Sequence, residues 1–240
     1  MILHSQSIFH FTSEQGLFGI LENNFNIRYT RERLIYQDDS YFDYLIPAIC
    51  FCDIPLSAIS DHIAEYGEYG IGLKRDWAYS NKLNPVIYYS EDSYFVQTFY
   101  ELMNLLQEDN SSAGDRTRPL SKHLFHYYKP HTGYDFKNKE EKCFYDEREW
   151  RFVPRIDNNL DLIIHCDEQK TEFIEQLRNS TEKLKLEFQP NDISFIIIKD
   201  ESERLKFIRK IKEIKGRYSH DDVEILTSKI LTVERINKDI

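Results

Sequence analysis

The chain predicts an α+β fold, a mixed, strand-rich core with helices interspersed at irregular intervals. Three observations lead there. Apolar runs of strand length recur at 8–11, 46–52, 84–89, 160–165, 193–198 and 222–226. Stretches with helical spacing separate them in no regular alternation, which disfavours a doubly wound parallel sheet. Of the 240 residues, 41% are hydrophobic and 14% aromatic, enough to bury a sizeable core. That length, without a repeat or a Gly/Ser/Pro-rich linker, predicts a single domain over 1–240.

Each element has a local reason. After the strand 8–11, Thr12 or Ser13 caps a helix, with Gln15 three residues beyond Thr12. Leu17, Ile20 and Leu21 give that helix its buried stripe, and Asn23-Asn24 ends it. A polar stretch rich in Arg and Tyr, 28–44, precedes the buried strand 46–52, which Asp53-Ile54-Pro55 closes. Residues 56–65 read as a helix. Gly70 and Gly72 then sit in an apolar run whose spacing is wrong for a phosphate loop; they predict a strand that a second backbone or a ligand approaches closely. After the strand 84–89 comes a helix over 92–108, with Phe95, Phe99, Leu102, Met103 and Leu106 on one side. Residues 109–120, polar and containing Ser and Gly, are expected as a mobile loop. Beyond the motif at 143–154 the pattern predicts a strand at 160–165, a helix at 168–188, a strand at 193–198, a helix at 201–214 and a strand at 222–226.

Charge and cysteine usage exclude several functions. The net charge is −10, from 31 basic and 41 acidic residues, so phosphates meet a repelling field and bulk binding of duplex nucleic acid is disfavoured. The one basic segment, Lys206 to Arg217, reads as the wet side of an amphipathic helix. No apolar run reaches bilayer length and residues 1–11 lack the marks of a signal peptide, so a soluble, cytoplasmic protein is expected. Cys50, Cys52, Cys143 and Cys166 form no C-x-x-C pair and read as reduced, mostly buried thiols. His123, His126 and His131 lie near Cys143, but Pro130 and Gly133 interrupt them and no acidic residue completes a ligand set. Stacking or hydrogen bonding around a pocket is expected there, and no metal.

The most informative stretch is Cys143-Phe-Tyr-Asp-Glu-Arg-Glu-Trp-Arg-Phe-Val-Pro154. Read as a strand, it points Arg148, Trp150 and Phe152 to one face and Glu147, Glu149 and Arg151 to the other. Trp150 and Phe152 anchor it in the core. The opposite face is either a solvated surface on which Arg151 offsets two carboxylates, or a site that sets an acid beside a developing positive charge.

Three stretches together resemble the AbiGi group of abortive phage-resistance proteins. They are Ile8-Phe-His-Phe-Thr-Ser13 with Leu17 and Ile20-Leu21, then Phe51-Cys-Asp-Ile-Pro-Leu-Ser57 with the glycine-bearing run 66–73, then Phe144-Tyr-Asp-Glu-Arg-Glu-Trp-Arg151. That resemblance spans most of 8–198 and implies phage defence, often on the antitoxin side of a two-gene system. A remoter similarity is to DarT-type ADP-ribosyltransferases, whose opening His10-Phe-Thr12, Leu17 and Ile20-Leu21 matches, and whose E-x-E Glu147-Arg-Glu149 matches. It implies an ADP-ribosyltransferase-like fold that uses NAD. Glu149 would be the catalytic acid and Glu147 would orient the acceptor. His10, Thr12, Tyr69 and an arginine, Arg33 with Arg28 and Arg31 also in range, would line the NAD pocket. The pattern departs at Gly16, where such openings usually carry Asn.

Two functions follow. One is an NAD-consuming effector that cleaves the nicotinamide–ribose bond. The other is a catalytically idle antitoxin or sensor that holds a toxin partner. The acidic chain favours a protein or nucleotide acceptor over nucleic acid.

Overall fold

The computed structural model describes residues 5–35, 41–135, 138–154, 164–165 and 184–239. The chain divides into two compact units: Met1–Asn26 with Cys50–Asn84 and Lys185–Ile240, and Ile27–Ile49 with Pro85–Leu184. Both mix strands and helices, so the α+β class holds.

In the first unit, strand Ser7–Thr12 runs antiparallel to Tyr69–Lys74, from Ser7 opposite Lys74 to Thr12 opposite Tyr69. Strand Ile193–Ile198 pairs antiparallel with Tyr69–Lys74 and parallel with Ile230–Thr232, which makes the sheet mixed. The close approach expected at the glycines comes from cross-strand rings. A Cβ on Gly70 would stand 2.9 Å from the Phe11 ring, and one on Gly72 2.7 Å from the Phe9 ring. Bare glycines thus let both phenylalanines lie flat across the sheet. Around them Cys52, Ile54, Ile59, Ile63 and Ile197 complete an apolar core.

Helix Glu14–Asn23 starts as expected: the Ser13 hydroxyl accepts from Gly16 N at 3.2 Å, and Leu17 and Leu21 are buried. Asn24, at φ 64°, ends it. Gly16 has a steric reason of its own, since a Cβ there would come within 2.2 Å of Thr12 Oγ1. The expected helix 56–65 divides into a 3-10 turn, Leu56–Ala58, and helix Ser60–Tyr66. Helix Arg204–Ile214 buries Phe207 and Ile211 and pairs Lys206 with Glu14, Lys210 with Glu213 and Lys212 with Glu224. The basic segment is the expected wet face except at Lys215, which is buried. The expected strand at 222–226 is a helix, His220–Ser228. Ser219 caps it by accepting from Asp222 N, and Val223, Leu226 and Thr227 are buried at helical spacing. Of the expected helix 168–188, residues 168–183 lie outside the described residues, and Lys185–Leu186 is a short strand paired with Phe25–Asn26.

In the second unit, the polar stretch after residue 27 is itself a strand. Arg28–Ile35 pairs antiparallel with Tyr41–Cys52, from Arg28 opposite Ala48 to Ile35 opposite Tyr41. Ile164–His165 pairs with the same long strand, and Ile87–Tyr89 runs parallel to Tyr128–Pro130. Thr132–Asp135 and Glu140–Cys143 form a hairpin.

Helix Tyr94–Glu108 begins at Ser93, whose hydroxyl caps Val96 N; of its expected inward side, Phe99, Met103 and Leu106 are half-buried. Val96 is buried and Phe99 stacks on Phe125 at 5.8 Å, whereas Phe95 and Leu102 are exposed. The loop expected at 109–120 is mostly helix, Ser112–Phe125. The Ser111 hydroxyl accepts from Ala113 N and Gly114 N, both at 3.2 Å. Gly114 is there because a Cβ would stand 2.0 Å from the Asp109 carbonyl. The residues that looked like loop chemistry are the cap and tight start of a helix.

Candidate functional site: a buried ion cluster

The strand expected over 143–154 is broken in a way that builds the site. Glu140–Cys143 is a strand, Phe144–Glu147 a 3-10 turn, and Arg148 sits in the left-handed region at φ 44° before strand Glu149–Phe152 begins. Trp150 is buried, as its alternation with Phe152 predicted. The opposite face is not solvated. Arg151 is 0% exposed, Glu149 6% and Glu147 7%.

Burying those charges demands partners, and the second unit supplies them. Arg151 forks onto Glu149, Nε to Oε1 at 2.6 Å and Nη2 to Oε2 at 3.1 Å. Its Nη1 donates to the His126 carbonyl at 2.7 Å, and Nη2 also pairs with Glu32. Lys129 Nζ bridges the two motif carboxylates, at 2.6 Å from Glu147 Oε2 and 2.9 Å from Glu149 Oε2. Lys142 Nζ holds the other Glu147 oxygen at 2.7 Å. Phe144 lies beneath both ammonium groups, 5.1 Å from Lys129 Nζ and 5.9 Å from that of Lys142. Tyr88 Oη accepts the Glu149 backbone N–H at 2.9 Å. Three carboxylates thus face three cations.

Two carboxylates this close repel, which makes one of them hard to ionise unless a cation compensates. Burial opposes ionisation of Glu147, but the Lys129 charge and the hydrogen bonds from Lys129 and Lys142 outweigh it and lower its pKa. Burial pulls Lys129 down, yet Glu149, Glu32 and Glu147 together hold it well above the ordinary lysine range. The carboxyl that is harder to ionise is Glu32, raised by burial that Arg151 and Lys129 offset only in part.

The candidates His10, Thr12 and Tyr69 lie in the first unit. His10 Nδ1 is 2.8 Å from the Cys50 carbonyl, with its ring edge-on to Phe25 and Phe51. Thr12 stands opposite Tyr69 across paired strands, and the Tyr69 hydroxyl donates to both Glu203 oxygens at 3.0 Å. Asp53 binds Ser5 N at 3.0 Å and Arg75 at 2.5 Å, tying three segments together. In the second unit the Arg33 backbone is opposite Asp43, and its side chain lies outside the described residues. His123 meets His126 edge-on at 5.8 Å, and His131 stacks on Tyr145 at 5.3 Å. Among the described residues no three potential ligands gather for a metal, and no helix is long and apolar enough to cross a membrane. Cys52 is buried, which raises its thiol pKa, Cys50 and Cys143 are half-buried, and Cys166 lies outside the described residues.

Sequence reasoning found Glu147, Glu149 and Arg151 but missed Glu32, Lys129, Lys142 and the His126 carbonyl. One signal was available at Lys129, a single basic residue inside an aromatic run, which rarely buries without a carboxylate partner.

Fold and site together define a mixed α+β protein organised, in one unit, around an internal, charge-balanced ion cluster. The chain belongs to the AbiGi family of abortive phage resistance proteins. Residues 23–199 match the family described as "Putative abortive phage resistance protein AbiGi, antitoxin". The chain is 30% identical over 223 residues to an abortive phage resistance protein AbiGi of Lactococcus lactis subsp. cremoris, covering 82% of this chain and 90% of that one. No solved structure matches it.

Proposed function

We propose that this chain is the antitoxin member of a phage-defence pair and restrains a toxin by binding it. The observation that carries this reading is the neutralisation of Glu149. A carboxylate that stabilises an oxocarbenium-like ribose must present uncompensated negative field to it. Here Arg151 and Lys129 hold both Glu149 oxygens, so their repulsion of a nearby cation offsets most of the carboxylate's attraction. The family description as an antitoxin supports the same reading. The test is co-expression with any toxin encoded by a gene adjacent to this one. Restored growth and co-purification of the two proteins are expected. Failure of both, with NAD turnover by the isolated chain, would overturn it.

The NAD-using reading keeps one observation in its favour. Thr12 and Tyr69 are cross-strand partners, and His10, on the same strand as Thr12, is oriented by the Cys50 carbonyl. Calorimetry of purified protein with NAD, alongside Glu149→Gln, separates the two: binding and turnover that vanish in the variant favour the enzyme.

A further inference from the structure

The first unit buries a lysine that has no counter-ion. Lys215 follows helix Arg204–Ile214; its N–H donates to the Ile211 carbonyl at 2.8 Å, and its own carbonyl accepts from Tyr218 N at 2.9 Å. Those two bonds fix the backbone that aims the side chain. The residue is 2% exposed, and its Nζ stands 5.1 Å from the Phe188 ring centre and 5.8 Å from that of Tyr218. Phe188 is itself buried and lies edge-on to Phe25 at 5.5 Å, which holds this wall in place. Aromatic faces attract a cation, but they replace only part of the hydration an ammonium loses on burial. Among the described residues no carbonyl, hydroxyl or carboxylate accepts a hydrogen bond from this Nζ. Lys129, mostly enclosed in the second unit, shows the usual arrangement, with Glu147 and Glu149 at 2.6 and 2.9 Å.

The charge that acts on Lys215 has its own sign. Arg217, two residues on, is exposed; its guanidinium carbon lies 5.1 Å from the Tyr218 ring centre, and its Nη2 donates to the Tyr218 hydroxyl at 3.2 Å. That hydroxyl donates in turn to Gln189 Oε1 at 2.9 Å, so the ring between the two cations is held at its far end. Lys206, Lys210 and Lys212 on the preceding helix each pair with a glutamate. Neither Lys215 nor Arg217 has an acidic partner among the described residues. Burial and Arg217 lower the Lys215 pKa to about 8, the direction expected where no anion compensates. In a chain of net charge −10, carboxylates to neutralise this pair are plentiful, yet none is placed there. The Lys215 Nζ keeps some contact with solvent and Arg217 is exposed, so an anion arriving from the surface meets both.

We propose that Lys215 and Arg217 form an anion-binding site for the phosphate group of a small ligand. A phosphate monoester carries about −1.5 to −2 at neutral pH, close to the two positive charges present, whereas one carboxylate would leave a cation unmatched. The ammonium meets phosphate as a point charge and the guanidinium as a fork of parallel donors. The inference goes beyond the antitoxin reading and is read on the isolated chain, so failure to bind a toxin leaves it standing.

The test is calorimetric titration of the purified chain with inorganic phosphate, adenosine monophosphate and acetate, at ionic strength held constant with chloride. Saturable binding of at least one phosphate, with Kd below about 5 mM, is expected. Lys215→Met, which keeps the apolar stem, and Arg217→Gln, at an exposed position, are each expected to leave the circular dichroism spectrum unchanged. The first should weaken phosphate binding at least about tenfold and the second at least about threefold. Phosphate should also raise the Lys215 titration midpoint, followed by NMR at its ε-carbon, which a lysine with a purely structural role would not show. Adenosine monophosphate binding at least about tenfold tighter than inorganic phosphate supports the proposal and assigns the group to an ester; equal or weaker binding supports it with free phosphate as the ligand. Absence of saturable binding of both phosphates up to about 20 mM overturns it. Binding that both variants leave within about twofold overturns it as well, because the anion is then adventitious and sits elsewhere. Acetate bound as tightly as phosphate overturns the assignment to phosphate and gives the site to a carboxylate.

Discussion

In the first unit, Phe9 and Phe11 lie across Gly72 and Gly70, and Ile8, Ile71 and Leu73 beside them are fully buried. In the second, the largest fully buried side chain is the Arg151 guanidinium, set among Glu149, Glu32 and the His126 carbonyl. The first interior is stabilised by area removed from water, a non-directional term that tolerates exchange among side chains of similar volume. The second depends on geometry, because each charge has lost its hydration and keeps only its partners. One interior should therefore degrade gradually under substitution and the other abruptly.

The largest expected effect breaks the charged interior. Arg151→Met leaves Glu149 and Glu32 facing each other without their shared cation and should destabilise the protein by about 5 kcal/mol, the upper end for opening a buried pair. Urea denaturation measures it, and a loss under about 1 kcal/mol would show that the cluster contributes only surface-like electrostatics. Combining Arg151→Met with Glu32→Met should recover part of that loss, since a double-mutant cycle between contacting charges returns up to about 3 kcal/mol.

In the apolar interior, Phe9→Ala should cost about 3–4 kcal/mol through lost burial and the cavity left over Gly72. Phe9→Leu should cost much less. No comparably mild exchange exists for Arg151, and Arg151→Lys, which cannot fork onto Glu149, should behave more like Arg151→Met.

Acid sharpens the contrast. The Glu147 pKa is lowered on folding, so the carboxylate's contribution is full above its ordinary value of 4.5 and is lost as pH falls through the lower folded value. The stability gap between wild type and Glu147→Gln should be constant near neutrality and close below that point.

The smallest effect concerns a charge that the first unit buries. Lys215, 2% exposed, has its Nζ 5.1 Å from the Phe188 ring and 5.8 Å from that of Tyr218. Burial, with Arg217 nearby, lowers its pKa to about 8. Between that value and 10.5 the unfolded chain binds more protons, so stability rises with pH across the window. Lys215→Met should accordingly be more stable than wild type at pH 7, with the advantage shrinking as pH climbs from 8 towards 10.5.

Much of the fold was legible because local signals agreed. Ser13 announced a helix start, Gly70 and Gly72 a close approach, and 193–198 a buried strand. Failures occurred where a local signal had two meanings. Ser111, Gly114 and Pro119 carry loop chemistry, yet they begin a helix or sit within it. Val223, Ile225 and Leu226 fit a short strand as well as a helix, and the Ser219 cap decided between them. Residues 28–33 read as polar, and Arg28–Ile35 is a strand because Tyr41–Cys52 pairs with it.

The sequence by itself determined the family, the α+β class, the inward side of Trp150 and the pairing of Arg151 with a motif carboxylate. The first two depend on the order of residues along the chain, the last two on spacing within a few positions. Only the tertiary structure decided that Glu147 and Glu149 are enclosed and neutralised. The ammonium groups that neutralise them come from positions 129 and 142, on strands that pair with other parts of the chain, and whether a carboxylate meets water or a buried ammonium depends on what folds over it.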